Sequence, residues 1–242
     1  MPDLMAARTV ALWAGPRNGS TALMYSFAQR ADTRVMDEPL FGHFLAFTGV
    51  DRPSREDVLR TMPLKAQDAL ASVAPRPTDQ VVFLKHMANH LEGLNWRDVD
   101  GPQHTHVVLT RHPDGVLPSY LAQISHPTML DLGYAHQLDL VKRVPDRVLV
   151  VTAESLQARP EPTLQALCKA LGLPWDAHML SWTPGARPED GVWAKHWYSG
   201  VHASSGWEAR TLKRGEVPAH LASLREECES HYLALKDLEI SI

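Results

Sequence analysis

A chain of 242 residues that is 44% hydrophobic and 21% charged has the size and composition of one large globular α/β domain, and disordered, collagenous and disulfide-scaffold chains are excluded. Its net charge of −4, from 24 Lys and Arg against 28 Asp and Glu, argues against broad affinity for nucleic acid or an anionic membrane, so any polyanion must be met by a local arginine cluster. Cys168 and Cys228 form no CxxC pair, which points to two buried, reduced thiols. The opening MPDLMAARTV has no apolar stretch before a small-residue cleavage site, and no apolar run approaches the ~18–20 residues of a spanning helix. A cytoplasmic protein is expected.

From Thr9 the run TVALWAG is short, apolar and rich in strand formers, and it breaks at Gly15-Pro16, as a buried strand does. The turn GPRNGST follows, after which Ala22, Leu23, Tyr25, Ser26, Phe27 and Ala28 keep helical spacing to about Arg30. A second strand is expected over Thr33 to Asp37, ended by Pro39. Residues 51–74 lean towards helix, starting from an N-cap at Ser54, and Pro75-Arg76-Pro77 closes them as an inserted helical pair. Three apolar runs then follow: VVFLK at 81–85, HVVLTR at 106–111 and RVLVVT at 147–152. The stretches between them are long enough to hold crossover helices, which implies parallel pairing. GVLPSYLAQI, with Pro118 as a kink or a first-turn proline, and LGYAHQLDLVKRV fit helices, and PTLQALCKALGL fits another, stopped at Gly172 and Pro174. Five strands with helices on both faces make a doubly wound parallel α/β domain over 1–242. Residues 175–216 differ. Trp182, Trp193, Trp197, Tyr198 and Trp207 lie there among Gly, Pro and Ser without periodicity, as in a long ordered loop, before a final amphipathic helix at 217–235.

In open α/β sheets ligands bind beyond the carboxyl ends of strands, where a helix N-terminus offers unpaired N–H groups to an anion. GPRNGST occupies that place. Gly19 permits close backbone approach, Ser20 and Thr21 add hydroxyls, and Arg17 adds charge, which together suit a phosphate; the bland alternative is a tight glycine turn with no ligand. The loop is not a Walker A sequence, because three residues separate its glycines and no Lys precedes the hydroxyl, so nucleotide hydrolysis is disfavoured. A later strand ends in Arg111, with Ser119 eight residues on in the following helix.

PRxGST after the first strand, paired with R-x-P-x₅-S after a later one, resembles the sulfotransferases that use 3′-phosphoadenosine 5′-phosphosulfate (PAPS), across about residues 8–175. The resemblance implies a P-loop NTPase-like α/β fold and PAPS as co-substrate with no metal. It implies a small-molecule hydroxyl or amine as acceptor, with no nucleic acid or membrane partner. Carried over, Arg17, Asn18, Gly19, Ser20 and Thr21 would hold the 5′-phosphosulfate, and Arg111 and Ser119 the 3′-phosphate. TAESLQARPEPTLQALCKALGLPW is similar to the family's segment after its fifth strand. Departures are Arg17 where the cytosolic enzymes carry Lys, Lys85-His86 in place of K-x-H, and no C-terminal RKG, for which WAKHWYSGVHASSGW is a candidate replacement. Other branches of the family use a Glu at the end of the second strand, where Glu38 stands here.

Sulfuryl transfer needs an aligned acceptor, a group to take its proton, and positive charge at the leaving phosphate. Glu38 is the candidate base, or else a helix-start carboxylate before Pro39. Lys85 stabilises the leaving group or is a solvated strand-end charge. His86 is a second candidate base, although strand alternation turns it away if Lys85 faces the loop. Thirteen histidines invite a metal, but neither His86 with His90 nor His104 with His106 has an acidic or cysteine ligand to complete a set. The aromatic cluster at 182–207 either covers a ligand or packs as the core of its own loop. A non-catalytic nucleotide-binding protein of the same fold and a P-loop kinase are the alternative functions.

Overall fold

The computed structural model describes residues 7–76 and 79–242, so the opening MPDLMA and Pro77 of the closing PRP lie outside the described residues. Five strands, β1 (Arg8–Ala14), β2 (Thr33–Asp37), β3 (Val81–Met87), β4 (His104–Thr110) and β5 (Val148–Thr152), pair in parallel in the order β2-β3-β1-β4-β5. The chain leaves β1 towards β2, returns through β3, and then crosses to β4 on the other side of β1. This reversal opens a crevice at the carboxyl end of β1.

Alternation along β1 sorts the core into two layers. Val10, Leu12 and Ala14 pack with Leu23, Met24 and Phe27 of helix α1 (Ser20–Phe27) and with Leu164 and Leu167 of the helix Pro160–Ala170. Ala11 and Trp13 face the opposite layer, with Leu140 and Val141 of the helix Tyr134–Arg143 and Leu235 of the helix Ala222–Lys236. The sheet is thus covered on both faces, as a parallel sheet must be.

The inserted pair forms as α3 (Arg55–Thr61) and α4 (Ala66–Ser72), preceded by α2 (Phe41–Thr48), which periodicity does not announce because FGHFLAFT is apolar almost all round. Ser54 stands at the start of α3 as expected but does not cap it. Its φ is 65° and its hydroxyl donates to the Val192 carbonyl at 3.3 Å. β3 runs two residues beyond VVFLK, which places Lys85 and His86 within the sheet. Pro118 lies inside the helix Pro113–Tyr120, whose first-turn proline is Pro113. The 175–216 segment carries more regular structure than its composition suggests: short helical turns at Ala177–Leu180, Ala194–Trp197 and Ser199–His202, and a bridge between Ser181 and Gly206. Cys168 and Cys228 are buried and unbridged, and no described helix is long and apolar enough to cross a membrane.

Candidate active site

The loop after β1 is set by two left-handed residues, Arg17 (φ 61°) and Gly19 (φ 86°), the second starting α1. An added Cβ at Gly19 would meet nothing within 4 Å, so the space above the loop is open. The first backbone bond of α1 runs from Leu23 N to Gly19 O, which leaves the amides of its first turn without an acceptor in the helix. Asn18 works differently from its neighbours. Its side chain is buried and donates to the Leu109 carbonyl at 2.8 Å, fastening the loop to β4. Arg17 is exposed, and burial of its stem lowers its pKa.

Arg111 follows β4 directly and donates through Nη1 to the Arg17 carbonyl at 2.7 Å, so the two expected phosphate-binding elements touch. Its side chain lies over Gly115, where a Cβ would come within 2.6 Å of Nε. Ser119 is one turn further along the same face, its hydroxyl donating to the Val116 carbonyl at 3.0 Å. Arg111 Nε is buried without a partner, and burial lowers the pKa of the guanidinium against the pull of Glu154. A buried guanidinium donor without a partner is uncommon in a folded protein. The basic run Lys213-Arg214 also arrives here, because Gly215 N donates to the Asp114 carbonyl at 2.8 Å, and Arg210 lines the cavity described below. These cations form a C-terminal basic element downstream of WAKHWYSGVHASSGW, the stretch expected to replace RKG.

At the other end, β2 and β3 bring Asp37 opposite Lys85, and Glu38 continues the ladder by donating its N–H to the Lys85 carbonyl at 2.7 Å. Glu38 itself has φ 46°, a conformation that turns its side chain out of the strand's alternation. Lys85 is 1% exposed, so it is not a solvated strand end. Its three N–H bonds go to Asp37 Oδ1 at 2.7 Å, Glu38 Oε1 at 2.6 Å and the Tyr198 hydroxyl at 2.7 Å. An ammonium has no fourth donor, so Lys85 holds Glu38 and leaves no hydrogen for a leaving group. Burial alone would lower the Lys85 pKa, but Asp37 and Glu38 outweigh it and raise it well above the ordinary value. Asp37 is raised, because its burial exceeds the pull of Lys85. Tyr198 donates to Asp37 Oδ2 at 2.8 Å and accepts from Trp193 Nε1 at 3.1 Å, while Gly191 N reaches Asp37 Oδ2 at 3.1 Å. Every polar atom of this cluster is thus engaged except Glu38 Oε2, which lies 3.9 Å from His90 Nε2.

His86 is not brought to this place. It projects to the other face of β3 and stacks on Trp13 with ring centroids 4.3 Å apart, and burial holds its pKa well below the ordinary histidine value. His106 accepts from Trp13 Nε1 at 3.0 Å, and His104 lies 6.2 Å from it between ring centroids. Among the described residues no group of three or more His, Cys, Asp and Glu is gathered as a metal site. The aromatic segment is partly buried and partly lines the cavity. Trp193 and Tyr198 are buried in the carboxylate cluster, whereas Trp197 lines the cavity and stacks on Tyr120 at 5.9 Å.

Loop and cluster face one cavity of about 500 Å³, lined by Arg17, Gly19, Ser20 and Thr21 at one side and Glu38 and Lys85 at the other. The sulfotransferase domain family matches residues 8–227. This chain belongs to the sulfotransferase family. Two relatives of the sulfotransferase-family chain come from Arabidopsis thaliana, branched-chain-amino-acid aminotransferase-like proteins 1 and 2, which are 39% identical over 202 residues and 35% identical over 230. They align with 81% and 93% of this chain, which spans only 36% and 40% of their own length. Among solved structures, the sulfotransferase domain of the Synechococcus PCC 7002 olefin synthase superposes with a TM-score of 0.60 at 18% identity, covering 96% of this chain and 97% of that one. A sulfotransferase from Alicyclobacillus acidocaldarius gives 0.56 at 15%, with 97% and 98% covered. Likeness at such identities is one of fold, and it agrees with the doubly wound, P-loop-like architecture. Asp37 and Arg210 were not singled out from the sequence, Tyr198 was named only with the aromatic cluster, and His90 only as half of a metal pair. The acidic pair DE at the end of β2 and the basic run RTLKRG were the available signals for Asp37 and Arg210.

Proposed function

We propose that this protein transfers a sulfuryl group from PAPS to a hydroxyl or amine of a small-molecule acceptor. The observation that carries the reading is the single cavity in which an anion-binding loop faces a carboxylate with one free oxygen. PAPS supplies the activated sulfuryl group, and the residues of this chain position it and move a proton. The first-turn amides of α1, with Ser20, Thr21 and Arg17, hold the phosphosulfate and meet the charge that grows on the leaving phosphate. Arg111, with its unpaired Nε, and Ser119 take the 3′-phosphate. Glu38 Oε2 accepts the acceptor's proton, while Lys85 holds the same carboxylate in place through Oε1. The free thiols Cys168 and Cys228 fit a cytoplasmic setting.

The test is a melting curve with 3′-phosphoadenosine 5′-phosphate, followed by transfer of labelled sulfate to a panel of alcohols and amines. Stabilisation by the bisphosphate together with labelled product supports the reading. Stabilisation without product points to a binding protein, and stabilisation by ATP and magnesium alone points to a kinase.

A further inference from the structure

His90 is buried in the cavity wall and has no task in the reaction as described. Its ring is 2% exposed and packs against Phe41, with centroids 5.1 Å apart and planes 12° apart, and against Phe44, at 4.9 Å. Nε2 stands 3.9 Å from Glu38 Oε2, and Nδ1 is buried with no partner. Burial, and then the charges of Lys85 and Arg52, keep the pKa well below the ordinary histidine value, so the ring is neutral near pH 7 and carries one N–H. A buried N–H without an acceptor is the costlier orphan, so the proton belongs on Nε2, on the side of the carboxylate.

We propose that His90 donates through Nε2–H to the acceptor oxygen and restricts this protein to hydroxyl acceptors, an inference that rests on sulfuryl transfer with Glu38 as base. Two polar atoms 3.9 Å apart can both reach a third atom at about 2.8 Å from each, with an angle of roughly 90° at that atom. A hydroxyl oxygen placed there donates its proton to Glu38 Oε2, accepts from His90 on one lone pair and keeps the other for sulfur. In the transfer the oxygen–sulfur bond forms and the bond from sulfur to the bridging oxygen of the 5′-phosphate breaks. The electron pair of that bond stays on the phosphate, and the hydroxyl proton passes to Glu38. A neutral amine has a single lone pair. If it accepts from His90 it cannot attack, and if it attacks, the buried Nε2–H loses its partner.

Two measurements decide the matter. Nitrogen-15 histidine spectra of the protein with 3′-phosphoadenosine 5′-phosphate, assigned by the resonance lost in His90→Phe, should show a neutral ring protonated at Nε2. An Nδ1-protonated or charged ring would overturn the proposal. Transfer from PAPS is then compared for the pairs phenol and aniline, and benzyl alcohol and benzylamine. Products on oxygen alone are expected, with the rate falling roughly 10–100-fold in His90→Phe and recovering in part in His90→Gln, which restores an N–H donor. Comparable rates on nitrogen would overturn it. A wild type that binds the bisphosphate yet sulfates neither member of any pair counts against the transferase reading itself, and the tautomer spectrum still decides the role of the ring.

Discussion

At the scale of single residues the site separates groups that carry charge from groups that hold them in place. Glu38→Gln keeps the oxygen that accepts from Lys85 and removes only the basic one, so turnover should fall about 10²–10⁴-fold with bisphosphate affinity nearly unchanged. Turnover within a few-fold of wild type would remove Glu38 from the chemistry. Arg111→Ala should lose a charge-assisted contact of roughly 1.5–3 kcal/mol to the 3′-phosphate, and Arg111→Lys should recover only part of it, because an ammonium lacks the guanidinium fork. Titration with the bisphosphate and with its 3′-hydroxyl analogue checks this, since equal discrimination by wild type and Arg111→Ala would place the 3′-phosphate elsewhere. The placement of Arg111 directly after β4 and of Ser119 in the following helix was legible because each sits at a fixed offset from a recognisable strand end. The opposition of Lys85 and His86 was legible too, through strand alternation. Tyr198 was not, since it reaches Lys85 across 113 residues of chain and no local pattern encodes that meeting.

At the scale of elements, the aromatic segment is fastened to the sheet by polar anchors. Asp190 accepts from the Tyr25 hydroxyl of α1 at 2.7 Å and lies 2.9 Å from His202 Nε2, while Tyr198 reaches the ends of β2 and β3. Composition predicts order here, and the order proves to come from these long-range bonds and from short helical turns too brief to leave a period. Tyr198→Phe keeps the ring but leaves Lys85 one donor short of a partner and Trp193 Nε1 unpaired in a buried place. The expected cost is about 1–3 kcal/mol, seen in urea denaturation, with faster proteolysis confined to residues 183–210. Unchanged stability and an unchanged cleavage pattern would show that packing alone seats the segment. α2 is not legible for a related reason: a short helix whose exposed face is apolar too, at Ala46 and Phe47, shows neither an amphipathic stripe nor a capping side chain.

At the scale of the whole molecule, the order β2-β3-β1-β4-β5 explains why one crevice gathers groups from the carboxyl ends of β1, β2 and β3. The parallel sheet was legible from apolar runs spaced for crossovers, but its strand order was not, because pairing is set by which helix covers which face. The same double covering buries histidines that water would otherwise protonate, and this gives the fold a pH dependence with a definite sign. His86 and His90 have folded pKa values well below the unfolded value of about 6.5. Below that pH the unfolded chain takes up protons that the folded chain refuses. Their stabilisation is therefore complete above about 6.5 and is lost as the pH falls towards the folded values, by up to about 1.4 kcal/mol per pH unit for each ring. His106, lowered by burial against the pull of Asp100, acts in the same direction. Asp37, whose pKa is raised, acts in the opposite direction. Carboxylates held low by arginines, such as Asp114 beside Arg225, lose their stabilisation only at more acidic pH, below about 4. Urea midpoints measured from pH 8 to 5.5 should therefore stay level to about 6.5 and then fall, and His86→Phe, which keeps a ring against Trp13, should make the fall shallower. A midpoint that holds or rises on acidification through this window would mean that the rings titrate freely, and the two-faced covering of the sheet would then be looser than its packing indicates.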